Sequence, residues 1–277
     1  MTIRTASFAP LSFLRRRVAA AVAGLALIGA VGLTASPAAI AGENQLAAIQ
    51  KAGVIRIGTE GVYAPYTYHD AKGSLTGYDV EVGREIAKKL GVKPQFVETA
   101  WDAMIAGLDT KRYDIVINQV TPTEERRAKY DFSAPYTFVK GALIVKKDNT
   151  KVRHFSDIKG LRAAQTVTSN WGKTAVEYGA EIVGVQDFAQ SVQLVATGRA
   201  DVTLNSELST LDFLREKPDT PVEIVDLTKT GLEIAIPLRK GNPELKAAID
   251  KALAELAADG TLSKLSIKFL GTDASKN

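Results

Sequence analysis

Apolar residues recur along the chain with two different periods, and the alternation between them sets the fold class. Val54-Ile55-Arg56-Ile57-Gly58 is a short apolar run of strand length, followed by a turn-rich stretch carrying Pro65, Gly73 and Gly77. Val82, Ile86 and Leu90 then recur every four residues, the spacing of one helix face, and Gly91 stands where such a helix stops. A second helix is expected from about Asp102 through Met104, Ile105 and Leu108, and a strand over residues 113–117. Strands and helices alternating at this spacing predict an α/β architecture with largely parallel sheets. Asn242 as N-cap, Pro243 at the first helical position, and Leu245, Ile249, Leu253 and Leu256 predict a C-terminal helix. Asp259-Gly260 ends it, and Thr261 opens a last short helix holding Leu262, Leu265 and Phe269.

An internal repeat organises these elements. The segment from Ile105 to Asn118 superposes without gaps on the segment from Val192 to Asn205, and each copy reads helix, Arg-x-Asp turn, strand, asparagine. Two lobes of like topology follow from it, although helix-turn-strand units are common enough to match by chance. Open α/β sheets bind ligands beyond the carboxyl ends of their strands, so Asn118 and Asn205 are expected at a cleft between the lobes. The stretch from Phe132 to Thr137, before a strand over residues 142–146, is a suitable boundary, and a second crossing is expected near Gly231 to Pro237. One lobe would then comprise residues 42–138 and 232–277, and the other residues 139–231.

Composition narrows the function. A chain of 277 residues, 45% hydrophobic and 24% charged, can build about two packed domains and is not disordered. Its net charge of +4 suggests nucleic acid, but Arg4, Arg15, Arg16 and Arg17 supply the whole excess and no acid occurs among residues 1–41. The remainder is formally neutral, so the electrostatic case for nucleic acid fails. Those arginines precede an uncharged run from Val18 to Leu33 and an Ala39-Ile40-Ala41 site, the layout of a cleavable secretory signal peptide occupying residues 1–41. The run is short and alanine-rich for a membrane anchor. Absence of cysteine leaves no lipid-attachment residue and no disulfide, so a soluble periplasmic protein is expected. The isolated His69 and His154 make no metal spacing and read as surface residues.

The run from Asn118 to Arg127 carries the most chemistry. It follows a strand, and Thr121 can act as N-cap with Pro122 at the first helical position and Glu124 in a capping box. The amides of such a helix start attract an anion, and Arg126 can add a bidentate fork for a carboxylate. Spacing alone favours a capped surface helix with solvated arginines, because caps of this kind are common. Tyr63, Trp101 and Trp171 read first as interior aromatics. Two of them fall at strand-to-helix junctions, which tilts them toward the cleft.

Four stretches change that weighing: Ile57-Gly58-Thr59-Glu60-Gly61-Val62-Tyr63-Ala64-Pro65-Tyr66, Leu75-Thr76-Gly77-Tyr78-Asp79-Val80, Thr121-Pro122-Thr123-Glu124-Glu125-Arg126, and Asp259-Gly260-Thr261-Leu262. From Val54 to Gly271 the chain resembles the polar amino-acid-binding proteins that feed ATP-binding-cassette (ABC) importers. Residues 116–121 with 129–137 are similar to the cystine-binding branch in particular. The resemblance implies a two-lobed periplasmic binding protein of type II, with a cleft between the lobes and two crossover strands. It implies that Arg126 holds the ligand α-carboxylate with the Thr121 amide, and that the turn Thr168-Ser169-Asn170-Trp171 faces the same group. Tyr63 and Trp101 match positions packing around the ligand side chain, and Asn118 and Gln119 match a strand end that accepts from its amino group or side chain.

Two departures from the family pattern stand out. Ser206 occupies the place of the aspartate that pairs with the ligand ammonium, so Glu60 or Glu207 supplies the charge, or neutral Asn118, Asn205 and Ser206 accept it. Thr168 replaces the usual glycine of the second-lobe turn. The neutral, aromatic character of the cleft residues points to L-cystine, with cysteine or glutamine next. The implied partners are this amino acid and an inner-membrane ABC permease, with no cofactor, no nucleic acid and a monomeric receptor. One branch of the fold resembles cyclohexadienyl dehydratase, but no cleft histidine, cysteine or nucleophile motif supports an enzyme, leaving Glu60 and Glu207 as the only candidate acids. A sensory receptor would carry the same residues.

Overall fold

The computed structural model describes residues 44–277, so the signal-peptide reading of residues 1–41 lies outside the described residues. Two five-stranded sheets with one shared topology form its framework. The first runs in the order Lys93–Glu98, Val54–Thr59, Ile115–Val116, Pro237–Arg239, Tyr130–Phe132. The second runs Glu181–Gly184, Arg162–Gln165, Val202–Ser206, Gly141–Lys146, Val222–Leu227. In each, the first strand of the βαβ series lies between the next two and parallel to both. The strand entering from the crossover then inserts antiparallel to its neighbours. The sheets are therefore mixed rather than largely parallel, because a strand arriving directly from the other lobe has no crossover helix to restore its direction.

Both faces of each sheet are covered. In the first lobe Ile55, Ile57, Val82, Ile86, Ile249 and Leu253 fill one side, and Met104, Leu108, Tyr113 and Phe132 the other. In the second lobe the strand Gly141–Lys146 sends Leu143 and Val145 to one core and Ala142 and Ile144 to the other, as side-chain alternation requires. The helix Tyr78–Lys89 buries Val82 and Ile86, and Pro243–Ala258 buries Leu245, Ile249, Leu253 and Leu256. The expected helix from Asp102 is only Trp101–Met104, continued by a tighter turn over Ile105–Gly107.

The repeat seen in the sequence carries a duplicated ion pair. Arg56 donates from its backbone amide, Nε and Nη2 to Asp114 at 2.9, 3.2 and 2.8 Å. Arg162 makes the same three bonds to Asp201 at 2.9, 3.1 and 2.9 Å. Each pair ties the first strand of a lobe to the start of the third, fixing the register of the strands that end at Asn118 and Asn205. Two antiparallel segments connect the lobes, Thr137–Val139 pairing with Leu232–Ile234.

Asp114 also accepts from Gln45 and is buried, whereas Asp201 is partly exposed. Asp114→Ala is expected to lower unfolding free energy by about 2–3 kcal/mol, by stranding the donors around it. Asp201→Ala is expected to lower it less, and urea unfolding of the two variants compares them.

Candidate functional site

The carboxyl ends of the parallel strands converge where the lobes meet. Val54–Thr59 runs into Glu60, Ile115–Val116 into Asn118 and Gln119, and Arg162–Gln165 into the turn before helix Asn170–Glu177, while Val202–Ser206 carries Asn205. Between them lies a cavity of about 40 Å³. Of the residues read from the sequence, Glu60, Tyr63, Trp101, Gln119, Ser169, Asn170, Trp171 and Asn205 line it. Trp101 and Trp171 face it from opposite lobes. Gln165, Thr166, Phe188 and Ser191 also line it and escaped the sequence reading, Phe188 and Ser191 because they sit on a helix whose periodicity already accounts for them as core.

Several residues do other work. Asn118 is fully engaged behind Glu60: its Nδ2 donates to Glu60 Oε2 at 2.6 Å, and its Oδ1 accepts from Glu60 N at 2.8 Å and from Thr59 Oγ1 at 3.2 Å. It fixes the Glu60 carboxyl instead of facing the cavity. Ser206 is buried against Tyr66, with the two hydroxyl oxygens 2.8 Å apart, and like Glu207 it does not line the cavity. The helix cap is Thr123, whose hydroxyl accepts from Arg126 N at 3.3 Å, so the helix is Glu124–Lys129 and Thr121 lies two residues before the cap. Pro122 disfavours helical backbone at Thr121, which moves the start onward.

Arg126 is 6% exposed, lies over the Trp101 ring with its guanidinium carbon 5.4 Å from the centroid, and donates to Thr121 O at 2.9 Å and Thr168 O at 3.1 Å. Its guanidinium thus stands behind Trp101, held by main-chain carbonyls and the ring; Arg126, Thr121 and Thr168 do not line the cavity, and Arg126 and Thr168 instead line a neighbouring pocket with Asp102 and Lys173. Burial lowers its pKa to about 10, partly offset by the charge of Glu125. Enclosure of Glu60 pushes its pKa up to about 7, opposed by the Asn118 hydrogen bond and reinforced by the charges of Asp187 and Asp102. Two buried polar atoms of the cavity wall have no partner, the donor Trp101 Nε1 and the acceptor Gln119 Oε1. The cavity therefore offers a half-buried carboxyl, one free donor and one free acceptor between aromatic walls, with a buried cation behind Trp101. Among the described residues no cluster of metal-ligating side chains occurs.

The lobes are joined across the cleft by direct bonds. Tyr63 donates to Asn205 Oδ1 at 2.5 Å, and Phe188 packs edge-on against Tyr63 with ring centroids 6.3 Å apart. At the rim, Thr168 donates from its amide at 2.9 Å and its hydroxyl at 2.8 Å to Asp102 Oδ1, and Lys173 pairs with Glu125. Thr168 thus clasps the opposite lobe through a hydroxyl that a glycine would lack.

The family described as bacterial extracellular solute-binding proteins, family 3, matches residues 55–272. The L-cystine-binding protein TcyA of Bacillus subtilis (strain 168) is 46% identical over 231 residues, covering 83% of this chain and 86% of that protein. The L-cystine solute receptor of Neisseria gonorrhoeae, in its unliganded open conformation, is 44% identical and superposes with a TM-score of 0.57 over 84% of this chain and 99% of that one. An ancestral arginine-binding protein bound to arginine is only 35% identical, yet superposes with a TM-score of 0.75 over 79% of this chain and 99% of that one. The better superposition at lower identity puts the lobe arrangement here nearer to the arginine-bound structure than to the unliganded open one.

Asp102→Ala removes both bonds from Thr168, leaving the Lys173–Glu125 pair and the cavity wall in place. It is expected to weaken closure by about 1–1.5 kcal/mol, seen as a larger radius of gyration in small-angle scattering with the fold intact by circular dichroism.

Proposed function

The chain belongs to the bacterial extracellular solute-binding proteins of family 3, and from that membership we propose that it captures L-cystine in the periplasm and hands it to an inner-membrane ABC permease. The observation that carries the reading is a half-buried carboxyl lining an aromatic-walled cavity, with a buried guanidinium behind its Trp101 wall and neither in an ion pair. A free amino acid supplies both missing charges. Its carboxylate takes up Arg126, exchanging the bond to Thr168 O, with Ser169, Asn170 and Trp101 Nε1 as further donors. Its ammonium meets Glu60 and Gln119 Oε1. Tyr63, Trp101, Trp171 and Phe188 then enclose an apolar linker, which suits the disulfide-centred body of cystine, and the polar wall left over suits its second zwitterionic end.

Capture rather than turnover is the better account of this wall. It holds one carboxyl and neither imidazole nor thiol, so a general acid there would have no partner base to activate a hydroxyl or water. Export follows from the signal peptide read in residues 1–41, and the lobes are assigned to residues 42–138 with 232–277 and to residues 139–231. A monomer suffices, because both halves of the site come from one chain.

Titration of the exported protein with a panel of amino acids tests the reading. Cystine is expected to bind and to change tryptophan fluorescence through Trp101 and Trp171. Arg126→Ala is expected to lose about 2–5 kcal/mol of that affinity by calorimetry while remaining folded. Binding of arginine, histidine or glutamate in place of cystine would reject the ligand.

Glu60 gives a pH signature. Its raised pKa means that the carboxyl is largely protonated below about 7 and must ionise to hold an ammonium, so affinity is expected to rise as pH increases through about 7. By the same sign, the desolvated acid destabilises the ligand-free fold as pH rises through that value. Calorimetry across this range should show a flattened profile in Glu60→Gln, and an unchanged profile would remove Glu60 as the counter-ion.

A further inference from the structure

Gln119 adopts a left-handed backbone conformation, φ 51°, that side-chain-bearing residues rarely occupy, and it does so at the wall of the cavity. What holds it there lies 40 residues earlier in the chain. Asp79, wholly buried at the start of helix Tyr78–Lys89, accepts Gln119 N on Oδ2 at 2.8 Å and Gln119 Nε2 on Oδ1 at 2.8 Å. Tyr136 donates its hydroxyl to the same Oδ1 at 3.0 Å. Asp79 is itself fixed by a tight turn: Asp79 N donates to Tyr66 O at 2.9 Å, and a Cβ on Gly77, whose φ is 122°, would overlap that carbonyl. Burial pushes the Asp79 pKa up to about 7, against the hydrogen bonds from Gln119 and Tyr136; above that pH the carboxylate can only accept, so the amide nitrogen of Gln119 faces it. The amide oxygen is then forced toward the cavity, where Gln119 Oε1 is buried without a partner.

We propose that Asp79 is a positioning residue for ligand selection: by holding the Gln119 carboxamide in one of its two flips, it makes this wall of the cavity an acceptor for a ligand ammonium. A freely rotating glutamine would offer donor or acceptor alike. Asp79 removes the donor choice, so a ligand lacking an ammonium leaves a buried oxygen unpaired. The inference rests on the amino-acid-receptor reading above and adds to it a residue that never touches the ligand.

Asp79→Asn tests it. The asparagine presents an NH₂ group to Gln119, which favours the opposite flip, with Oε1 turned inward and Nε2 facing the ligand. Calorimetry with two probes reads the result: L-cystine, and 3,3′-dithiodipropionate, the same skeleton without amino groups. The ratio of affinities is expected to fall about tenfold in Asp79→Asn, through weaker cystine binding with the deamino compound unchanged or tighter. In a Gln119→Met background, Asp79→Asn is expected to leave the ratio where Gln119→Met puts it. Equal loss for both probes, or a further fall in the Gln119→Met background, would show a role in folding alone and overturn the proposal. If Asp79→Asn does not fold, nuclear magnetic resonance of the wild-type protein decides. The Gln119 side-chain NH₂ signals, identified by their loss in Gln119→Met, are expected to be protected from exchange before and after cystine is added. Protection only after addition would place the NH₂ against the ligand and reject the assignment. Failure of the wild-type protein to bind any amino acid would reject the receptor reading itself.

Discussion

Charge withdrawn from water without a counter-charge is the constraint on which this molecule turns. Burying an ion is expensive unless something of opposite sign or a set of dipoles replaces its hydration. Arg126 meets two main-chain carbonyls and an aromatic face, and Glu60 meets the amide of Asn118. These contacts compensate only in part, as the lowered pKa of the arginine and the raised pKa of the glutamate record. A zwitterion completes both sites at once, so binding free energy and lobe closure become one event: closing exposes the ligand to fewer waters and strengthens each contact it makes.

The duplicated architecture explains why such a site can be assembled from distant segments. Each lobe repeats the same strand order and the same arginine-aspartate brace, so the ends of corresponding strands arrive at the cleft in corresponding places. Their chemistry has nevertheless diverged. Asn118 supports Glu60 from behind, whereas Asn205 Oδ1 receives the Tyr63 hydroxyl from the other lobe and caps its own chain at Ser206 N, 2.7 Å away. One copy therefore holds a charged group in place, and the other registers closure.

Local signals made much of this legible before any coordinates. Period-four apolar spacing marked the helix that buries Val82 and Ile86, Pro243 marked the start of the long C-terminal helix, and the Arg-x-Asp repeat marked paired strands. What the sequence withheld was long-range. Strand direction beside the crossovers depends on which lobe a segment comes from, which apolar spacing does not encode. Ser206 looked like a ligand contact because it stands at the family's aspartate position, yet its hydroxyl is engaged with Tyr66, 140 residues away. The Asp79 contact to Gln119 gave no signal because the two residues lie 40 positions apart. An acidic residue in the first turn of a helix is explained by the helix dipole until its partner is seen.

The size of the cavity adds a kinetic consequence. At about 40 Å³ it has room for about three water molecules, far less than any polar amino acid needs. The lobes must therefore part to admit a ligand, yet Asp102, Tyr63 and Glu125 already bind across the cleft through protein groups alone. Every such bond favours closure whatever the ligand, and so cancels from the differential affinity on which selection between ligands depends. Rim contacts of this kind raise affinity for all ligands together, whereas Glu60, Gln119 and Arg126 separate one ligand from another. The exposed position of Asp102 and Glu125 keeps the first contribution small, and the burial of Gln119 and Arg126 makes the second large. Discrimination thus resides in the buried interior of the cleft, and the rim sets only how readily it opens.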